Sequence, residues 1–458
     1  MQRSSLRTGI PFGLCLIAWL GMTGDSRPDG RLVSYDQLDP GSMEECTTPA
    51  TSSELGGALT LGATPLPLRN MLMQARVAGA PGTEAPFAAQ DASQRTPERM
   101  IRDPYAAYSA VAVDPNHDEV VMTDENLFNI WVYDRKFSPA AKSPPELRRL
   151  IGGLNTKIEF QCGLYIDPAN GDIYAVNNDT IDTLVIFSRQ AVGDVKPDRE
   201  LHTPHGTFGI AVDEEKQELF LTVQHDNAIV VYNKLAKGTE APLRVLQGDD
   251  TGLADPHGMA LDAKRGLLWV TNHGSSHSVR ENPNRRRGGS PGFPLDRDDA
   301  VPGSGKMGPP SITVYAKDAK GDARPLRTIQ GPRTRMNWPT AISIDEDRNQ
   351  IFVANDGGNS ILVFDGSASG DAAPIRVITG RASLVSNPTG VYFDKKNHEL
   401  WTANFGNHTA AVYSPDANGN AAPLRVIRSA GPDQPVPGLG NPHPIAYDSK
   451  REEILVPN

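Results

Sequence analysis

Cysteine is nearly absent, with three in 458 residues. Cys15 lies in an N-terminal apolar run, which leaves Cys46 and Cys162 as the one pair able to form a disulfide, at a distance nothing in the sequence fixes. Helical periodicity is scarce throughout, and that disfavours α/β enzyme folds. Neither G-x-x-x-x-G-K-[ST] nor G-x-G-x-x-G occurs in a strand–helix context, and no G-x-S-x-G elbow is present. Phosphate-loop, dinucleotide and nucleophile-elbow chemistries therefore have no footing. A basic excess is also missing. Lys and Arg total 45 against 55 Asp and Glu, a net charge of −10, where a nucleic-acid binder needs a basic face. Long apolar runs are missing too. IPFGLCLIAWLGM (10–22), preceded by Arg3 and Arg7, is too short to span a bilayer comfortably and reads as a secretory signal over residues 1–24. The expected location is the periplasm, cell surface or exterior, with no transmembrane span in the mature chain. Residues 25–82, rich in Pro, Gly, Ser, Thr and Ala, read as a linker or irregular strap.

What the chain does have is a repeat of about 49 residues, the period of arrays and propellers. Its inner half is two β-type runs around a tight turn, as in LYIDPANGDIYAV (164–176). An aspartate opens that turn at Asp114, Asp167, Asp213, Asp262, Asp345, Asp394 and Asp448, and a turn-opening carboxylate bonds the backbone two residues on. The outer half is a third run with a conserved-position aromatic and a fourth run carrying an arginine, Arg99, Arg149, Arg199, Arg244, Arg327, Arg376 and Arg425. Proline precedes most of these arginines by two residues, which places the fourth run at the sheet edge. Four antiparallel strands per unit at this period make a β-propeller. Each of the two columns counts seven, and the chain begins with an outer half and ends with an inner half. The expectation is an all-β propeller over 83–458 with seven four-stranded blades, the last completed by N-terminal outer strands (about 83–101) and C-terminal inner strands (about 444–457).

The run PTGVYFDKKNHELWTAN (388–404) shows the P-x-G-[IV]-x-[VF]-D…[LI]-[FW]-V-x-N pattern, and on it the chain resembles the NHL-repeat propellers. The resemblance covers about 80% of the chain. It implies the fold, with six blades as the alternative count since several members have six, and it implies little about function.

In a four-strand meander the connections between units and those between strands two and three emerge on one face. Eight of the ten histidines fall in those connections, while His117 and His398 sit in turns on the opposite face. His225, His257, His273 and His443 are the candidate ligands for a divalent transition metal (Zn, Cu or Fe) at the channel mouth. Asn272, Asn355 and Asn404 belong to a column that ends each inner hairpin on that face. Their carbonyls suit a ligand, although repetition in nearly every blade points to a structural role first. One blade carries an insertion, 274–310, with Arg285, Arg286 and Arg287 placed to receive an anion. The leading expectation is a monomeric, non-enzymatic module that binds a small molecule or a protein on this face and does not bind nucleic acid. The alternatives are a metal-dependent hydrolase or lyase at the histidine-rich mouth, and a purely structural cell-envelope role.

Overall fold

A computed structural model of the chain describes residues 105–137, 147–178, 181–277, 279–280, 299–300, 303–429, 446–448 and 453–455. Among them α-helix is absent, and the chain is built of strands, turns and short 3-10 segments. No helix among these residues is long and apolar enough to cross a membrane.

Six sheets have four antiparallel strands each, in sequence order from the innermost strand outward. They form blades 1 to 6 over residues 108–152, 161–202, 207–247, 256–330, 339–379 and 388–428. Blade 3 shows the plan, with strands Thr207–Asp213, Glu218–Val223, Ala228–Asn233 and Arg244–Gln247. The two repeat columns behave as the sequence implied. Asp213 accepts bonds from the backbone N–H of Glu215 and Lys216, and Asp114, Asp262, Asp345 and Asp394 close their turns in the same way. The edge-strand arginines reach back across the blade. Arg149 grips Glu119 and Arg244 grips Glu218, each with two bonds, and Arg327 and Arg425 lie over the rings of Trp269 and Trp401.

The blade count departs from expectation. Six apolar clusters fill the six gaps between neighbouring blades, and one of them joins blade 1 (Tyr108, Val113, Met122) to blade 6 (Trp401, Ala403, Val412). An open row of six blades has only five gaps, so blades 1 and 6 meet directly. The seam is also polar. Arg135 donates to Glu399 at 3.1 Å, Thr389 Oγ1 to the Tyr108 carbonyl at 3.3 Å, and the His408 ring nitrogen Nδ1 to the Ala106 carbonyl at 2.9 Å. The fold is therefore a propeller of six four-stranded blades, and the seven-blade expectation is corrected. The terminal half-units were counted as one blade on pattern alone. The C-terminal one, Ala446–Asp448 paired with Glu453–Leu455, is a two-stranded sheet of its own. The signal, the 25–82 strap and the 83–101 half-unit lie outside the described residues.

The innermost strands line a channel with a cavity of about 300 Å³. At its waist they carry Ala110, Gly163, Gly209, Gly258, Ala341 and Gly390. A Cβ on Gly163, Gly209 or Gly258 would stand 2.3–2.5 Å from a neighbouring blade's carbonyl oxygen, so the strands approach this closely only because side chains are missing.

Candidate functional site at the channel mouth

Backbone bonds place the two kinds of connection on one face, as expected. The amide that follows each second strand donates to the residue just before the innermost strand: Gln224 to Gly206, His273 to Asp255, Asp356 to Trp338 and Phe405 to Asn387. The asparagine column locks this arrangement from within. Asn272, Asn355 and Asn404 are buried, and each amide both accepts a loop N–H and donates to a third-strand hydroxyl, on Thr313, Ser360 and Thr409 respectively. Their hydrogen-bonding groups are engaged inside the blades, which accords with the structural reading of that column.

One residue farther on, the repeat breaks. This position holds Glu125, Asn178, Gln224, His273, Asp356 and Phe405, a different residue in each blade. These side chains work at the mouth. The Asn178 amide donates to the Thr207 carbonyl and to Gln224 Oε1, both at 2.8 Å. The Gln224 amide in turn donates to His257 Nε2 at 2.8 Å and to Asp255 at 3.3 Å. The Cys162 thiol, which lines the channel, donates to Glu125 at 3.5 Å. Periodicity gives this column no signal, because a site on a pseudosymmetric ring shows as the position where repetition stops.

Blade 4 supplies the densest chemistry. His257 is the second residue of its innermost strand, and His273 follows its second strand. Both are buried, and their rings stack with centroids 3.4 Å apart and planes 21° from parallel. Phe208, on the channel wall, meets the far side of His257 at 4.3 Å, and Trp338 of the blade 5 approach stacks on His273 at 5.1 Å. The result is a ladder of four rings across three blades. Asp255 lies beside it, and one ligating atom from each of Asp255, His257 and His273 falls within 4.8 Å of the others. His257 Nδ1 donates to the Asp255 carbonyl at 3.0 Å, which fixes the tautomer and leaves Nε2 as the lone-pair nitrogen.

Burial sets the protonation states. Desolvation lowers His257 to about 3, and desolvation together with the neighbouring His257 lowers His273 to about 2, so both rings are neutral at ordinary pH. Burial pushes the Asp255 carboxyl up to about 6, against the pull of the Gln224 amide. Asp356 is raised by burial as well, against a bond from Asn387.

Trp338 has a second peculiarity. The residue before the innermost strand has positive φ in four blades, at Gly206, Asp255, Trp338 and Asn387. Gly, Asp and Asn tolerate that region and Trp does not. Yet Trp338 keeps φ at 52° with half its surface exposed.

Of the histidines expected at the site, His257 and His273 come together. His225 is exposed and lies against His205, with ring centroids 5.1 Å apart and planes tilted by 54°, next to the triad but not in it, and His205 bonds Asp182 at 3.0 Å. His443, Arg285, Arg286 and Arg287 lie outside the described residues. The insertion starts as an antiparallel ribbon, with Ser275–Ser276 paired to Lys306–Met307 and Val279–Arg280 to Asp299–Ala300, so its stem leaves the blade directly after His273.

No family model and no curated protein matches the chain. Among solved structures, it is similar to a chain of a nidogen/laminin complex at 16% identity and TM-score 0.42, over 66% of this chain and 90% of that one. It is also similar to hydrazine synthase of Kuenenia stuttgartiensis at 12% identity and TM-score 0.46, over 71% of this chain and all of that one. At such identities and scores neither likeness carries an argument about this chain.

Proposed function

We propose that this protein is an exported propeller of the NHL-repeat type that works as a monomeric binding module, with its ligand seated at the channel mouth on the face of the inter-blade connections. One observation carries the reading: the mouth column Glu125, Asn178, Gln224, His273, Asp356 and Phe405 differs in every blade while the turn-opening aspartates and the edge-strand arginines repeat in all six. A ring needs repetition to close, and a binding site needs particular groups at particular places. The described column carries two carboxylates and no lysine or arginine, so a polar or cationic small molecule, or the tip of a partner protein with that chemistry, fits it best. The anion expected from Arg285, Arg286 and Arg287 has no counterpart in this column. Export rests on the signal-like residues 1–24, and the family on the 388–404 pattern.

The test is ligand-observed NMR with a panel of small polar and cationic organic molecules, joined to quenching of the half-exposed Trp338. Binders should quench Trp338, and Trp338→Ala and Asp356→Asn should each remove most of their affinity. A panel with no binder, or binders indifferent to both substitutions, overturns the reading.

A second reading, a metal-dependent hydrolase or lyase, is favoured by one observation, the grouping of Asp255, His257 and His273 at this same mouth. Its test is turnover of simple esters and lactones that disappears in His273→Ala.

A further inference from the structure

We infer that Asp255, His257 and His273 form a site for one divalent first-row transition ion, bound through the Asp255 carboxylate, His257 Nε2 and His273 Nε2. The ion does not depend on the organic ligand proposed above, and its absence would leave that ligand's test untouched.

Three features point to this site. The first is convergence, since one donor atom from each of the three side chains lies within 4.8 Å of the others before any ion draws them in. The second is an unsatisfied nitrogen. His273 is 6% exposed, and its buried Nε2 has no hydrogen-bond partner. Its Nδ1 stands 3.9 Å from Asp255, beyond bonding distance. A buried imidazole without a partner is costly, and such groups in native proteins call for a bound species to explain them. The third is preorganisation. The Asp255 carbonyl holds His257 in the tautomer whose Nε2 lone pair is available, as the outer shell of metal-bound histidines commonly does.

The present ring geometry also says what must move. With planes 21° apart, the two imidazole lone pairs run nearly parallel and do not converge. His273 must turn about its Cβ–Cγ bond, a rotation that no ring hydrogen bond opposes. Gln224 must release His257 Nε2, and it retains its contact with Asp255 at 3.3 Å. Two imidazoles and a carboxylate suit Zn²⁺, Cu²⁺ or Fe²⁺ and are a poor set for Mg²⁺ or Ca²⁺.

The experiment uses the tag-free full chain. It is stripped with chelator and titrated calorimetrically with Zn²⁺, alongside metal analysis of the protein as purified. The expected result is one ion per chain in the wild type, weakened at least about 100-fold in His273→Ala and in Asp255→Asn, with His205→Ala unchanged. Mg²⁺ should not compete at millimolar concentration. Because His273→Ala also leaves a hole, His273→Gln serves as the second variant, and the melting temperature of each stripped variant is measured first. Absence of stoichiometric Zn²⁺ binding overturns the inference. So does binding that survives both His273 variants, or binding abolished by His205→Ala, which would move the ion to the exposed His205–His225 pair.

Discussion

Arg135 and Glu399 are 264 residues apart in the sequence, and in a ring of six they are neighbours across the seam between blades 1 and 6. The guanidinium is 6% exposed, donates to Glu399 at 3.1 Å and binds Asp118 with its other nitrogen at 2.8 Å. Glu399 also ion-pairs with Arg425 and accepts from the Trp401 indole. A pair at this separation attracts with roughly 5 kcal/mol at an effective dielectric of about 20. Desolvation removes much of that, which leaves a coupling of about 1–3 kcal/mol. A double-mutant cycle of Arg135→Met and Glu399→Gln, read by urea unfolding, isolates this term from the larger single-mutant losses. Sites more than about 7–10 Å apart add to within about 0.3–0.5 kcal/mol. A blade inserted between 1 and 6 would separate the two side chains by more than that. Coupling below about 0.5 kcal/mol would therefore refute closure by six blades.

The remaining predictions concern other parts of the ring. Removing residues 444–458 should leave the unfolding free energy of the six blades within about 0.5 kcal/mol of the full chain, whereas a blade completed by those residues would be lost with them. Gly258→Ala should destabilise by about 2 kcal/mol or more, since its Cβ would stand 2.5 Å from the Thr340 carbonyl oxygen, a backbone atom with little room to yield; chemical denaturation checks it. Acid should weaken the blade edges. Burial acts to raise the Glu119 carboxyl, but Arg149, with Arg189 and Arg148, outweighs it and holds the group below its ordinary 4.5. A depressed carboxylate contributes stability above its unfolded pKa, and that contribution fades as pH falls through the folded one. Wild type should therefore lose more stability than Glu119→Gln between about pH 5 and pH 3, as followed by urea midpoints. Equal losses would contradict it.

Much of this architecture was legible because it repeats. The turn-opening aspartates and the edge-strand arginines lie where local chemistry requires them, and local chemistry is what periodicity records. The assignment of loops to faces followed, and with it the grouping of His257 and His273. The seam was not legible. Half-units at the two ends fit a shared blade by pattern, and only the packing of Tyr108 against the Trp401 cluster shows that blades 1 and 6 meet. Asp255 escaped notice because its αL backbone and its place beside His257 depend on the loop's path. Trp338 escaped because nothing in a sequence marks a tryptophan as holding a glycine-like conformation. His225, expected in the metal set, lies against His205, with ring centroids 5.1 Å apart.

Crystals grown with Zn²⁺ test the mouth of blades 3 to 5 most directly. Diffraction recorded on both sides of the zinc absorption edge should give a single strong anomalous peak bounded by Asp255, His257 Nε2 and His273 Nε2, with the His273 ring turned out of its stack. A map with no peak there, or with zinc only on exposed histidines such as His205 and His225, would contradict it.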